Sequence, residues 1–325
     1  MRPINETGLG KLTGFKMKKD FWQGKKILIT GGKGFVGSWV VKNLIKNCGV
    51  DKEKIRITDS TKEDLRLFAS AQKAVKKINI IIHLAADVGG VGYSSVYPAT
   101  QLRNCLLIDA NIFEAAAREK VEKIIAVSSS VAYSPHSPSP LAEKNFFDGV
   151  PAKTNLGYGF AKRTTAVLGQ SYWQEKNLKS VILIPNNAYG PGQDFSLVTG
   201  HVIPSLIYKC LTFKNLEVWG NGKAVRDFLY VEDFTQGILK AAEKINKPNP
   251  INLGTGKGTS IKDLVKMIVR LTDFKGKIIY DKTKPSGQAQ RIVNINKARK
   301  LLGFKPKWTL EKGLAKTINW IKEQI

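Results

Sequence analysis

Cysteine is scarce in this chain: Cys48, Cys105 and Cys210 are the only three among 325 residues, widely spaced and without a C-x-x-C pair. An odd, scattered set excludes a disulfide framework and a cysteine zinc site. No metal is therefore expected, and a reducing, cytoplasmic setting is. Cys48 and Cys210 are expected to pack as small apolar side chains. No apolar run approaches the roughly 18–20 residues of a membrane span, so no membrane partner is expected. The amino terminus lacks the apolar core of a signal peptide, which argues against secretion. Internal repeats and low-complexity segments are lacking as well.

Acidic residues are few: 26 Asp and Glu stand against 52 Lys and Arg, a formal net charge of +26. Such a balance attracts polyanions. The lysines are dispersed, however, with neither a long basic block nor the aromatic interleaving of an RNA-recognition module. No nucleic-acid partner is expected, and the basic surface suits recruitment of a small anion such as a nucleotide diphosphate.

What is present is ordinary for a globular protein, with 42% hydrophobic and 24% charged residues. The length suffices for one large or two modest domains. Residues 1–24 are expected to form a leader, read either as a flexible extension or as sequence ahead of an alternative start at Met17. Lys26-Ile-Leu-Ile-Thr30 reads as a strand, and the apolar spacing of Val36, Val40, Leu44 and Ile45 predicts a helix over 35–46. Further strands are expected at Ile55–Thr58, Ile78–Leu84, Ile124–Val127, Val181–Ile184 and Ile251–Gly254. Strands alternating with helices predict a parallel sheet covered on both faces. From about Pro185 proline and glycine become denser, which predicts a smaller α+β region. Residues 25–185, with 228–255 returning to them, are expected to form a dinucleotide-binding domain. Residues 186–227 and 256–325 are expected to form the substrate domain.

The turn Gly31-Gly32-Lys33-Gly34-Phe35-Val36-Gly37 follows a strand and opens a helix, the context that gives a glycine fingerprint its meaning. Gly31 is expected to permit the tight turn, Gly34 the close approach of a pyrophosphate, and Gly37 close packing of helix on sheet. The helix N-terminus supplies amide donors and a dipole that favours phosphate. Asp59, at the end of the second strand, is placed to accept from adenosine ribose hydroxyls and to repel a 2′-phosphate, which favours NAD over NADP. Lys33 and Lys62 offer a phosphate partner, so both cofactors stay open.

Tyr158 and Lys162 are four residues apart, so on a helix they share a face. An ammonium beside a phenol favours the phenolate and lowers its pKa, readying the tyrosine to take or give the proton of a sugar hydroxyl. Ser128-Ser129-Ser130 ends a predicted strand, at the sheet edge where open α/β sheets place their ligands.

With these motifs the chain resembles the extended short-chain dehydrogenase/reductase family, in its nucleotide-sugar epimerase/dehydratase branch. The likeness runs from Lys26 to the C-terminal helix. Its specific segments are 83–90, 97–99, 187–192, 201–204, 218–222 and 226–233. The Val88-Gly89-Gly90 loop and His201-Val202-Ile203-Pro204 are most similar to GDP-L-fucose synthases and GDP-sugar C4 reductases. The resemblance implies an α/β, Rossmann-type doubly wound sheet with a smaller C-terminal α+β substrate domain, and a homodimer formed through the helix around 105–118 and the one carrying Tyr158. Leu106, Leu107, Ala110 and Phe113 serve there equally well as interface or as core. The resemblance also implies Ser129, Tyr158 and Lys162 as the catalytic set. Leu84, Ala85 and Ala86 join the glycine turn, Asp59, Tyr158 and Lys162 as cofactor residues. Val88, Gly89, Ser129, Ser130, Asn187, His201, Val202, Arg226 and Arg291 are the implied substrate residues, with the arginines suited to a diphosphate.

Two departures narrow the chemistry. Fucose synthases carry a cysteine two residues beyond the catalytic serine and a histidine, to epimerise carbons flanking a ketone. Here His201 keeps the histidine position but Val131 takes the cysteine position, and valine transfers no proton. The acid that dehydratases and decarboxylases place just after the serine is also replaced, by Ser130-Val131. The expected activity is an NAD(P)-dependent hydride transfer at C4 of a nucleotide sugar, with a GDP-mannose-type sugar favoured. Oxidation, reduction and 4-epimerisation share these residues. A non-catalytic dinucleotide sensor is the alternative of a different class, and the intact proton pair argues against it.

Overall fold

A computed structural model describes residues 17–197, 200–284 and 288–325. The first 16 residues of the expected leader lie outside the described residues. In chain order the elements are α1 (Lys19–Trp22), β1 (Ile27–Thr30), α2 (Phe35–Lys46), β2 (Ile55–Ile57), α3 (Phe68–Val75), β3 (Ile80–His83), α4 (Val91–Val96), α5 (Pro98–Arg118), β4 (Lys123–Val127), α6 (Leu156–Lys176) and β5 (Ser180–Pro185). They are followed by β6 (Ala188–Tyr189), α7 (Val202–Thr212), β7 (Asn215–Trp219), β8 (Val225–Arg226), β9 (Leu229–Tyr230), α8 (Val231–Lys244) and β10 (Ile251–Leu253). The chain ends with β11 (Thr259–Ser260), α9 (Ile261–Thr272), β12 (Lys277–Asp281), β13 (Gln290–Arg291), α10 (Asn296–Leu302) and α11 (Leu310–Lys322).

Six strands form one parallel sheet in the order β10-β5-β4-β3-β1-β2. The reason lies in the strands themselves. Leu28, Ile81, Ile124, Ala126, Ile182 and Ile184 face α3, α5 and α6 on one side. Ile27, Ile29, Ile80, Ile82, Ile125, Val181 and Leu183 face α2, α8 and α10 on the other. A sheet covered on both faces needs apolar residues at successive positions, which is what these runs supply. Each fully buried Leu or Ile contributes about 1.5–3 kcal/mol.

β2 lies to one side of β1 and β3 to the other, so the strand order reverses between β1 and β3. In an open α/β sheet such a reversal leaves a crevice at the carboxyl ends of the strands, the place for a ligand. Both loops that border it, 31–37 after β1 and 84–90 after β3, carry the motifs singled out above.

A third apolar cluster unites α7, α9, α11 and β7 through Ile203, Ile207, Leu216, Leu264, Ile268, Leu314 and Ile318. Here β7 pairs in parallel with β12, and β8 lies between β11 and β13. Trp39 of α2 joins this region to the main sheet, stacking edge-on against Tyr230 at 6.0 Å and donating from Nε1 to the Pro191 carbonyl at 2.9 Å.

Within the stretch expected as a leader, the Trp22 indole is buried and its Nε1 donates to Glu243 at 2.8 Å. Of the residues left open as interface or core, Phe113 is core, fully buried and packed on Tyr172, whereas Leu107 is 41% exposed. All three cysteines are buried and free, and burial pushes their thiols up, Cys105 and Cys210 to about 11 and Cys48 to about 12.

Candidate active site

The glycine turn is built by steric necessity. Gly31 has φ of +69°, a left-handed conformation, and a Cβ there would lie 3.0 Å from the Ala85 amide nitrogen. A Cβ on Gly37 would stand 2.3 Å from the Gly31 carbonyl oxygen, so only glycine lets α2 start this close to β1. Gly34 has ordinary extended backbone at the N-cap, and nothing but the Gly31 carbonyl lies near its missing Cβ. Its face of the turn is left clear, as the approach of a pyrophosphate requires. The first-turn amides of α2, from Phe35 and Val36 onward, have no intrahelical partner and point the helix dipole at the same place. These residues fit a dinucleotide.

Asp59 is not free to act alone. Its Oδ2 accepts from Lys33 Nζ at 2.5 Å, and its Oδ1 accepts from the Thr61 hydroxyl and amide at 2.7 and 3.1 Å. The Lys33 hydrogen bond, then those from Thr61, hold this carboxyl well below the usual carboxylate range. The charge expected to repel a 2′-phosphate is thus already neutralised by a lysine of the turn. Sequence proximity could not reveal this pairing, since β1 and β2 must first come side by side.

β4 delivers the serines and α6 the proton pair. Ser128 Oγ donates to the Lys162 carbonyl at 2.6 Å, tying the end of β4 to α6. Ser129 opens a short turn over 130–132, its Oγ accepting from the Val131 amide at 3.4 Å. Ser130 is turned inward instead: it is buried, and its hydroxyl donates to Asn186 Oδ1 at 2.8 Å. Lys162 Nζ stands 6.0 Å from the centre of the Tyr158 ring and donates to the Val127 carbonyl at 3.1 Å.

Glycines on both sides of Tyr158 let its helix approach so closely. A Cβ on Gly157 would lie 2.4 Å from the Pro98 carbonyl oxygen, and one on Gly159 would lie 2.6 Å from Pro151 Cβ. The expectation about the phenol is reversed by this packing. Burial raises the Tyr158 pKa to about 12 despite the opposing Lys162 charge, so at neutral pH the phenol keeps its proton.

On the far side of the crevice, Asn187 Nδ2 donates to Asn186 Oδ1 and to the Asp227 carbonyl. Arg226 and Arg291 are direct partners in the β8–β13 ladder. Arg291 is buried and donates from Nε to Gln288 at 2.9 Å, and burial, then Arg226, pull its pKa down to about 9. The Arg291 carbonyl accepts from Asn186 Nδ2 at 3.1 Å, which links this ladder to Ser130. Val88 is 51% exposed on the loop after β3, and Gly89 has a Tyr93 ring where its Cβ would be. Tyr93 and Asn104 donate to the two oxygens of Asp87, anchoring that loop beside Leu84, Ala85 and Ala86. His201 is the N-cap residue of α7, with Val202 following; no side-chain hydrogen bond caps the helix.

Several site residues escaped the motif reading. Asp109, Thr165 and Thr30 are fully buried around His83. Arg163 donates to the carbonyls of Gly149 and Ala132, holding loop 148–151 against the serine turn. His83 lay inside a quoted motif; the others carried no local signal. Among the described residues, no cluster of His, Cys, Asp and Glu is placed to hold a metal ion, and no helix is long and apolar enough to cross a membrane.

The profile of the NAD dependent epimerase/dehydratase family matches residues 27–254. The GDP-L-fucose synthase of Sinorhizobium fredii is 32% identical over 303 residues, 90% of this chain and 94% of that protein. Among solved structures, a GDP-6-OMe-4-keto-L-xylo-heptose reductase from C. jejuni has a TM-score of 0.87 at 23% identity, covering 96% of this chain and 100% of that one. A GDP-L-fucose synthetase from Naegleria fowleri bound to NADP has a TM-score of 0.82 at 25% identity, covering 95% and 96%. The glycine turn, the parallel sheet with its crevice at the β1–β3 reversal, and this matching span together show that the chain belongs to the NAD-dependent epimerase/dehydratase family, whose members are NAD(P)-dependent enzymes.

Proposed function

We propose that this protein is an NAD(P)-dependent nucleotide-sugar C4 oxidoreductase that works as a reductase on a 4-keto sugar carried by GDP. The observation that carries the chemistry is the Tyr158 phenol on the same helix as Lys162, with its ring centre 6.0 Å from the lysine Nζ, beside the Ser129 turn at the end of β4. Lys33 beside Asp59, which suits NADPH, supports the reductive direction. The nicotinamide, when bound, supplies the hydride to C4. As the carbonyl π electrons move onto O4, Tyr158 gives its phenolic proton to that oxygen, Lys162 stabilises the phenolate left behind, and Ser129 hydrogen-bonds the reacting oxygen. Val131 offers no proton donor where fucose synthases carry cysteine, so the reduction proceeds without epimerisation at the flanking carbons.

GDP as the nucleotide is supported by the 32% identical fucose synthase. Arg226 and Arg291 take the diphosphate, with Asn187, Val88, Gly89, His201 and Val202 around the sugar nucleotide, and Ser130 supports them from behind. Residues 25–185 and 228–255 hold the cofactor, and 186–227 with 256–325 hold the sugar nucleotide. Lys33 beside Asp59 accommodates NADP as well as NAD, in keeping with the relative that binds NADP. The protein is a cytoplasmic homodimer whose interface is the apolar face of α5 and α6, where Leu107, Leu156, Phe160 and Val167 are exposed.

The test is NADPH or NADH consumption at 340 nm with GDP-4-keto sugars, and NMR of the product. A C4 alcohol formed by wild type and not by Tyr158→Phe supports the reading. Net oxidation of a GDP-hexose, or isomer formation without net redox, overturns it in favour of a dehydrogenase or a 4-epimerase. Silence on every substrate, with unaltered cofactor binding by Tyr158→Phe, leaves the sensor.

A further inference from the structure

Beneath the proton pair lies a buried carboxylate that the reaction above does not use. Asp109, on α5, is 1% exposed. Its Oδ2 accepts from the Thr165 hydroxyl at 2.5 Å, and its Oδ1 lies 3.0 Å from His83 Nε2. His83 Nδ1 lies 2.7 Å from Thr30 Oγ1, which already accepts from the Leu84 and Ala85 amides, both at 3.1 Å.

Those contacts assign the proton positions. With both its lone pairs engaged, the Thr30 hydroxyl spends its single hydrogen on His83 Nδ1. The ring proton therefore sits on Nε2 and is donated to Asp109. The imidazole contributes orientation rather than charge, so Asp109 carries a net buried negative charge. A buried charge persists when a counter-charge accompanies it. Thr165 lies one helical turn beyond Lys162 on α6, so the carboxylate it holds is packed between α5 and the turn of α6 that carries the lysine.

We propose that Asp109 is a positioning residue for the Tyr158–Lys162 pair: its carboxylate is the counter-charge of the Lys162 ammonium and, through His83 and Thr30, it fixes the Leu84 and Ala85 amides after β3. The inference rests on the reductase reading above. Burial pulls the Lys162 pKa down, and Asp109, then Tyr158, more than restore it. The other ionisable group acting on the lysine is Cys105 on α5; Asp87, beyond β3, acts on the Tyr158 phenol instead.

The experiment is the pH profile of kcat/KM for reduction with NADPH, in wild type, D109N and T165V. In D109N the alkaline limb is expected to move down by at least about one pH unit, because the ammonium loses its partner, while KM for the sugar nucleotide stays within about twofold. In the K162R background D109N is expected to move the limb less than it does with the lysine present, since a guanidinium does not titrate in this range and only the Tyr158 phenol is left to give a limb. A D109N limb that stays in place while the rate falls overturns the proposal and leaves a packing role. Should D109N fail to fold by circular dichroism, T165V decides: removing the Oδ2 donor shifts the limb the same way by a smaller amount, and an unmoved limb overturns the proposal. If wild type turns over no GDP sugar, the reductase reading has failed by itself. The pH midpoint of NADPH binding, followed by NADPH fluorescence, then carries the question: a lower midpoint in D109N supports Asp109, and an identical one rejects it.

Discussion

Arg226 and Arg291 face each other across two hydrogen-bonded parallel strands, a like-charged pair at one register position. Opposed like charges weaken a ladder, and burial weighs further on both guanidiniums. A diphosphate bound between them, as proposed, would relieve both costs at once. Replacing Arg291 with methionine is expected to weaken GDP binding by about 10- to 100-fold, from the roughly 1.5–3 kcal/mol of a charged hydrogen bond. The unliganded melting temperature should stay level or rise. Calorimetric titration and a thermal melt check this, and a variant that melts lower yet binds GDP normally would falsify the clamp.

Lys33 and Asp59 form an exposed ion pair, so its loss should hardly change stability. Its effect belongs to the cofactor. In Lys33→Ala the bare Asp59 carboxylate repels a 2′-phosphate, and the KM for NADPH is expected to rise about tenfold against that for NADH. Equal changes for both cofactors would remove Lys33 from phosphate recognition.

Tyr158 sets opposite pH dependences for the two directions. With its pKa pushed up to about 12, the acid form is present throughout neutral pH. Reduction is therefore expected to stay level between about pH 6 and 9, whereas oxidation, which needs the phenolate, rises about tenfold per pH unit. Initial rates in both directions test this; an oxidation rate independent of pH means that another group takes the proton.

Val131 predicts a clean product. Reaction in deuterium oxide should leave C3 and C5 of the sugar free of deuterium, as read by NMR. Label at either carbon shows that a different side chain performs the exchange.

The exposed apolar face of α5 and α6 predicts a concentration-dependent dimer. Leu107→Lys combined with Val167→Lys places like charges on that face and should give a monomer by light scattering. A wild type that is monomeric at high concentration rejects the interface outright.

By itself the sequence determined what depends on near neighbours. A run such as Ile27-Leu28-Ile29 must be covered on both faces, a glycine must stand where the chain turns tightly after it, and four residues of helix put Tyr158 and Lys162 on one side. Those signals placed the sheet, the glycine turn after β1 and the Tyr158–Lys162 pair on α6, because strand and helix periods are local properties. The tertiary structure alone decided what meets across elements. It set Arg226 against Arg291, joined Lys33 to Asp59, sent Phe113 into the core, and gathered Thr30, His83, Asp109 and Thr165 from four elements around one carboxylate. It also reversed the expected direction of the Tyr158 pKa. The lysine four residues away is visible in the sequence, but the desolvation that outweighs it arises only when α6 closes on the serine turn and α5.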